Sequence, residues 1–260
     1  MQFNNDRYKS SELALIKDFS FRVYAELNDF LAPGLRNKSF THALKTPITV
    51  REAIESLGIP LAEVDLILIN SEPAALNHSL HEKDYVSVYP VFESFDISEI
   101  SKIRRRPLRE SRFILDAHLG KLAKYLRMLG FDTLYQNDFG DREIIDIARK
   151  ENRIILTRDK LLLRSKLVDH GYYVRETEKH AQLIEIVKKF DLYNQFRSFT
   201  RCMTCNAILV KKDKREIEDK IDADTARIFK EFFYCSFCDK VFWKGSHFER
   251  MEKLIISLLR

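Results

Sequence analysis

The chain has 260 residues, enough for two domains or three, with 45% hydrophobic and 32% charged residues. That balance describes a soluble, globular protein with real cores, and no apolar run approaches the roughly 18–20 residues that cross a bilayer, so no membrane partner is expected. A net charge of +5 is mildly basic and alone says little about nucleic acid. The first ten residues are polar and lack the apolar stretch of a secretory signal, so the expected compartment is the cytoplasm, where thiols stay reduced.

Residues 19–27 alternate Phe19, Phe21, Val23, Ala25 and Leu27 with polar neighbours, the period of a half-buried strand. Residues 39–44 are its expected hairpin partner. Thr49-Val50-Arg51-Glu52 has the form of a capping box, and Val50, Ala53, Ile54 and Leu57 line one face of the helix it starts. Gly58 and Pro60 stop that helix. Val64–Ile69 reads as a continuous apolar strand, Asn70-Ser71-Glu72-Pro73 as a turn, and residues 84–91 as a last strand. This order, with LILINSEPA ahead of KDYVSVYPVF, resembles the ubiquitin-like β-grasp fold of small sulfur carriers. Such carriers act through a free Gly-Gly tail. Here the chain continues as Phe92-Glu93-Ser94-Phe95, so sulfur carriage is not expected. What is left is a module for a protein partner or a structural appendage, since fold does not fix function.

Residues 101–112 (SKIRRRPLRESR) hold six basic residues and one acid, with Arg104, Arg105 and Arg106 in a row. From 113 to about 190, short apolar strands alternate with helices. Strands are expected at 113–115, 133–135, 153–156 and 172–174. Helices are expected at 118–129, 141–150, 159–168 and 178–190. Leu119, Leu122, Ala123, Leu126 and Leu129 form the apolar face of the first of these helices, and Gly130 ends it. Such alternation implies parallel βαβ units, an α/β sheet with helices on both faces.

The last stretch carries all four cysteines of the chain, as two Cys-x-x-Cys pairs, Cys202/Cys205 and Cys235/Cys238. Two residues between cysteines turn both sulfurs toward one metal, and two such knuckles supply the four thiolates of a structural Zn²⁺ site. The 29 residues between the pairs exceed the usual ribbon spacing of roughly 15–20. A helix expected over 222–233 makes the excess an ordered excursion.

In an open parallel sheet, ligands bind beyond the carboxyl ends of the strands. Asp116 directly follows the strand 113–115, Asp159 follows the strand at 153–156 by way of Thr157-Arg158, and Asp138 and Asp141 lie in the loop before the second helix. Clustered carboxylates repel, and a divalent cation relieves the repulsion. Mg²⁺, which prefers oxygen and keeps several waters, suits a sparse set of Asp side chains. It would activate water for attack on a phosphodiester. Asp159, or Thr157, is equally readable as a helix cap and Asp141 as a partner of a helix dipole. No P-loop or Gly-x-Gly-x-x-Gly is present, and seven glycines leave little for a phosphate cradle.

The segments FILDAHLGKLAKYLRMLGFDTLY, NDFGDREIIDIARKENRIILTRD, RCMTCN and YCSFCDKVFWKGSHFERM together resemble the Mut-seven C-terminal RNase family. The resemblance implies a multidomain chain: a ubiquitin-like β-grasp domain (1–98), a basic linker (99–112), a PIN-like α/β nuclease domain (113–191) and a zinc ribbon (192–260). It implies a Mg²⁺- or Mn²⁺-dependent acidic site built from Asp116, Asp141 and Asp159, with Asp138 or Glu143 as substitutes for the second position. A fourth acid is not evident; Asp169 is a candidate by position only, and a solvent-facing place is the plainer reading.

Lys121, Lys124 and Arg127 recur every three residues, and Arg158, Lys160 and Arg164 flank Asp159. With Arg104, Arg105 and Arg106 they are candidates to hold RNA phosphates without reading sequence; each one alone also fits a solvated surface. His118 has the same two readings. Tyr234, Phe242 and Trp243 fit either the packing of a small ribbon core or stacking on bases. The expected activity is hydrolysis of RNA. The competing expectation is a non-catalytic RNA-binding adaptor.

Overall fold

The computed structural model describes residues 15–92, 97, 99–103, 111–198 and 200–258. Arg104, Arg105 and Arg106 lie outside the described residues. Two compact units are present, Met1–Val91 with Ile97–Arg105, and Phe92–Asp96 with Arg106–Arg260.

In the first unit, strands β1 (Leu15–Val23) and β2 (Ser39–Thr46) form an antiparallel pair, helix α1 (Val50–Ser56) follows, and β3 (Val64–Ile69), β4 (Glu72–Pro73) and β5 (Tyr85–Pro90) complete a sheet in the order β2-β1-β5-β3-β4. β1 and β5 run parallel at its centre, the arrangement of a ubiquitin-like domain. The capping box is made in full: Thr49 accepts the Glu52 N–H while the Glu52 carboxylate accepts the Thr49 N–H. Phe19, Phe21, Val50, Ile54, Ile67 and Val88 fill the core. The first strand stops at Val23 rather than Leu27. Ala25 takes φ 48°, Asn28 donates to the Val23 and Ala25 carbonyls, and Leu27 is buried from a 3₁₀ turn.

The second unit opens with β6 (Phe113–Leu115), a 3₁₀ turn at Ala117–Leu119 and α2 (Gly120–Met128). Then come β7 (Thr133–Leu134), α3 (Asp141–Glu151), β8 (Ile154–Thr157), α4 (Lys160–Leu163), β9 (Gly171–Tyr173) and α5 (Lys179–Lys189). The four strands are all parallel, in the order β7-β6-β8-β9. Phe113, Leu115, Ile154 and Leu156 pack in one cluster with Leu122, Leu126, Leu183 and Ile186 of α2 and α5. Ile114 and Ile155 alternate to the opposite side, where α3 meets β6 and β8. The helix expected over 159–168 ends at Leu163, because the Ser165 hydroxyl accepts the Leu167 N–H and the Val168 N–H turns back to the Ser165 carbonyl. A serine that offers the backbone a local alternative breaks a helix in this way.

The cysteine region adds β10 (Val210–Lys212), α6 (Ala223–Ile228), β11 (Phe232–Cys235), β12 (Lys240–Trp243) and α7 (Ser246–Leu258). β10, β11 and β12 form an antiparallel three-stranded sheet. The helix expected over 222–233 stops at Ile228. Phe232 is fully buried and pairs with Trp243 across the sheet, so its residues belong to a strand.

Candidate active site at the carboxyl edge of the parallel sheet

From β6 the chain crosses to β7 on one side, and from β8 it crosses to β9 on the other. The crevice outside the carboxyl ends of β6 and β8 is therefore the topological switch point, where open α/β sheets bind ligands. Asp116 leaves β6 there, and Asp159 leaves β8. Asp116 caps the 3₁₀ turn, with the Ala117 N–H donating to Oδ1. Its Oδ2 accepts the Thr157 hydroxyl at 2.9 Å. The same hydroxyl oxygen accepts the Asp159 N–H at 2.8 Å. Asp159 caps α4 by accepting the Leu161 N–H at 2.7 Å. Thr157 is fully buried, so one hydroxyl, donor to one acid and acceptor from the other, locks the two strand ends together.

Asp138 and Asp141 are exposed, the first in the loop after β7 and the second at the first residue of α3. Among the described residues, two groups of three or more His, Cys, Asp or Glu bring their ligand atoms within 4.8 Å of one another, and neither includes these acids. One of the two lies in the ubiquitin-like unit: exposed His78 and His81 with Asp84, whose carboxylate already accepts Asn70 Nδ2 and the His81 N–H. Asp169 stands before β9, at the opposite edge of the sheet, 3.5 Å from Arg149.

A groove of about 740 Å³ opens beside Asp116 between the starts of α2 and α5. His118, Lys121 and Lys124 line one side, and Glu178, Lys179 and Gln182 the other. Burial alone would raise the Glu178 carboxyl, but the Ala181 and His180 N–H groups and the charges of His180 and Lys179 hold it below its ordinary value. Tyr135 forms part of the wall and donates to the Ala117 carbonyl at 2.9 Å. A Cβ on Gly120 would come within 2.5 Å of the Tyr135 hydroxyl oxygen, which explains a glycine in the first turn of α2.

Two of the expected phosphate ligands serve the fold instead. Arg127 is 3% exposed. It donates to the Thr133 and Thr204 carbonyls at 2.8 Å and to the Met203 carbonyl at 3.3 Å. Burial pulls its pKa below the ordinary value, while Cys205, Cys202 and Asp132 nearby favour its charge. Arg158 donates to the Val174, Arg175 and Glu176 carbonyls, clamping the chain beyond β9. Lys121 and Lys124 are exposed and stay on the groove. The sequence offers Thr157 only as a helix cap; its bridge requires β6 and β8 to be neighbours, which no local signal reports. Glu178, Lys179 and Gln182 carry no motif and reach the groove only because α5 packs beside α2.

The four cysteines are free of disulfides, and their sulfurs all lie within 4.8 Å of one another. Cys205 and Cys235 Sγ are 3.5 Å apart, close to the roughly 3.8 Å edge of a tetrahedron with Zn–S bonds of about 2.3 Å. The Cys238 N–H points to Cys235 Sγ at 3.4 Å. Four clustered thiols of this spacing, Cys202 and Cys235 buried and Cys205 and Cys238 half-buried, suggest a structural zinc site. The ribbon is joined to the parallel sheet through Asp132, which accepts from Arg153 at 2.7 Å, Asn206 at 2.8 Å and Arg201 at 3.2 Å. Burial pushes the Asp132 carboxyl up. The hydrogen bonds from Arg153 and Asn206 and the charges of Arg153 and Arg201 outweigh it, and the group sits below its ordinary value.

No helix among the described residues is long and apolar enough to cross a membrane. Neither a curated protein nor a solved structure matches the chain. The model of the family described as Mut7-C RNAse domain matches residues 111–255, and that of the Mut7-C ubiquitin family matches residues 16–96. The chain therefore belongs to the Mut7-C RNAse family, with a Mut7-C ubiquitin domain ahead of its RNAse domain.

Proposed function

We propose that this RNase is metal-dependent and hydrolyses RNA at the carboxyl edge of the PIN-like sheet, around Asp116 and Asp159. One observation carries the reading: the Thr157 hydroxyl donates to the Asp116 carboxylate and accepts the Asp159 backbone N–H at the switch-point crevice, beside a groove lined by Lys121, Lys124 and Lys179. The donors are all oxygen, and Asp138 and Asp141 come from the adjoining strand's loop. Such a sparse set fits Mg²⁺ or Mn²⁺, which keep much of their own water. When bound, the cation supplies a more acidic water and neutralises charge on the phosphodiester. Asp116 and Asp159 hold negative potential at the crevice. Lys121, Lys124 and Lys179 hold the phosphates on either side. Water adds at phosphorus and the bond to the 3′ oxygen breaks, leaving a 5′-phosphate and a 3′-hydroxyl.

Asp116→Asn keeps the size of the side chain and one acceptor oxygen for the Ala117 N–H, while its NH₂ can donate to the Thr157 hydroxyl oxygen in place of the bond received at Oδ2. With zinc content and urea unfolding matched to the wild type, it separates chemistry from folding. A mixed labelled RNA pool, incubated with Mn²⁺, with Mg²⁺ and with EDTA, should be cleaved by the wild type only when metal is present. The variant should be slower by roughly 10²–10³-fold. RNA left whole by zinc-loaded wild type that still binds it would support the adaptor reading, which the open spacing of the acids favours.

A further inference from the structure

A second hollow, about 370 Å³, lies between α2 and the ribbon. Its walls are Tyr125, Met128, Met203 and Phe242, and its rim is Lys121, Lys124 and Lys179, the same three lysines that border the groove beside Asp116. Met203 belongs to the first zinc knuckle and Phe242 to β12. The two depressions are thus one path, from the acidic edge along α2 to the ribbon. Lys121 and Met128 are about 10 Å apart along the helix at 1.5 Å per residue. None of the three lysines forms an ion pair among the described residues. Three ammonium groups over an apolar hollow, with Glu178 the nearby acid that feels the charge of Lys179, match a ligand with phosphates beside a flat apolar face.

We propose that this hollow seats an unpaired nucleobase of the RNA strand whose phosphates cross Lys121, Lys124 and Lys179. The inference rests on the ribonuclease reading and adds the substrate class: single-stranded RNA, approaching the acids from the ribbon side. Its volume lies within the roughly 300–1,000 Å³ of small-ligand pockets. Thioether and aromatic walls grip any base by its face, so the seat is tolerant of sequence. A paired base is stacked inside its helix and cannot enter. The ribbon then supplies one wall of the substrate path, and the zinc knuckle sets where Met203 stands.

The test uses full-length, zinc-loaded Asp116→Asn protein, in which slowed cleavage leaves time to measure binding. Affinity is measured for a labelled oligouridine, for the same strand with one abasic position moved along it, and for a duplex. The intact strand should bind roughly 10- to 100-fold tighter than the strand abasic at the seated position, since stacking of one base has about that effect. The duplex should bind no better than the abasic strand. Met203→Ala and Phe242→Leu, checked for full zinc content, should abolish the difference. Lys124→Ala should weaken intact and abasic strands equally and lower the salt slope by about one. Equal affinity for intact and abasic strands, with tight binding of both, overturns the base seat and leaves the nuclease reading standing. No RNA binding at all overturns both. A base-dependent affinity in a protein whose wild type cuts nothing keeps the seat and removes the nuclease.

Discussion

Thr157 is where a single atom group decides the geometry of the candidate site. Its hydroxyl donates to Asp116 and accepts from the Asp159 N–H, in a fully buried position. Thr157→Val keeps the shape and removes the hydroxyl, which leaves the Asp159 N–H and one Asp116 oxygen without that partner. Stability should fall by about 1–3 kcal/mol, read from urea unfolding. Cleavage should fall through kcat with KM little changed, because the residue positions the acids and does not touch phosphate. Thr157→Ser should restore both. A change confined to stability would show that the bridge is structural only. At this scale the sequence was legible where a residue follows a strand: Asp116 and Asp159 were visible as acids at strand ends. Arg127 was not. Steps of three residues turn a helix by about 300°, so a row starting at exposed Lys121 drifts about 120° by its third member. That drift carries Arg127 off the solvent face and under the ribbon.

The element most affected by this drift is α2, which carries the groove lysines on one side and holds the first zinc knuckle on another. Arg127 donates to the carbonyls of Met203 and Thr204, the two residues between Cys202 and Cys205. Partners of this kind typically change metal affinity by about 10- to 100-fold. Arg127→Lys cannot reach three carbonyls with one ammonium, so zinc should be held about that much more weakly in competition with a chromophoric chelator. Unchanged affinity would mean that the knuckle forms without α2. Asp132 is the companion contact. Burial raises its carboxyl, but Arg153, Asn206 and Arg201 outweigh burial and hold it below its ordinary value in the folded chain, so its stabilisation is complete above the ordinary carboxylate range and is lost as pH falls through the folded value. At neutral pH, Asp132→Asn should cost about 1–3 kcal/mol, because Arg153, only 5% exposed, loses one of its two carboxylate partners and keeps Glu151 at 2.7 Å. Strand and helix periods announced the elements of the parallel sheet, where α4 is cut short by a serine turn. In the cysteine region they announced only α6, which a buried phenylalanine drawn into a sheet cuts short; β10, β11, β12 and α7 went unannounced, because the strands are short and pair through contacts that a local pattern does not contain.

Among the described residues the two units have separate cores, and a smaller cluster gathers Cys202, Leu209 and Cys235. Phe19, Phe21, Ile54 and Ile67 belong to the ubiquitin-like unit, whereas Phe113, Leu122 and Leu183 belong to the RNAse unit together with Phe242 and Phe248 of the ribbon region. The order of elements along the chain suggested both units. The sharing of one core by the parallel sheet and the ribbon was not visible, because Asp132, Arg127 and Asn206 are far apart in sequence. A zinc ion held by the four cysteines would therefore support more than its own knuckles. Its binding energy would be folding energy for the ribbon, and loss of the ribbon would strip Arg127, Asp132 and the far wall of the hollow of their partners. Calorimetry of the full chain with and without a strong chelator should show two transitions. The one belonging to the RNAse unit should move down, and the ubiquitin-like one should stay in place. RNA binding should be lost with the metal before the parallel sheet melts. If the RNAse unit melted at the same temperature without zinc, the sheet would be holding itself, and the ribbon would be an attachment to it rather than part of its fold.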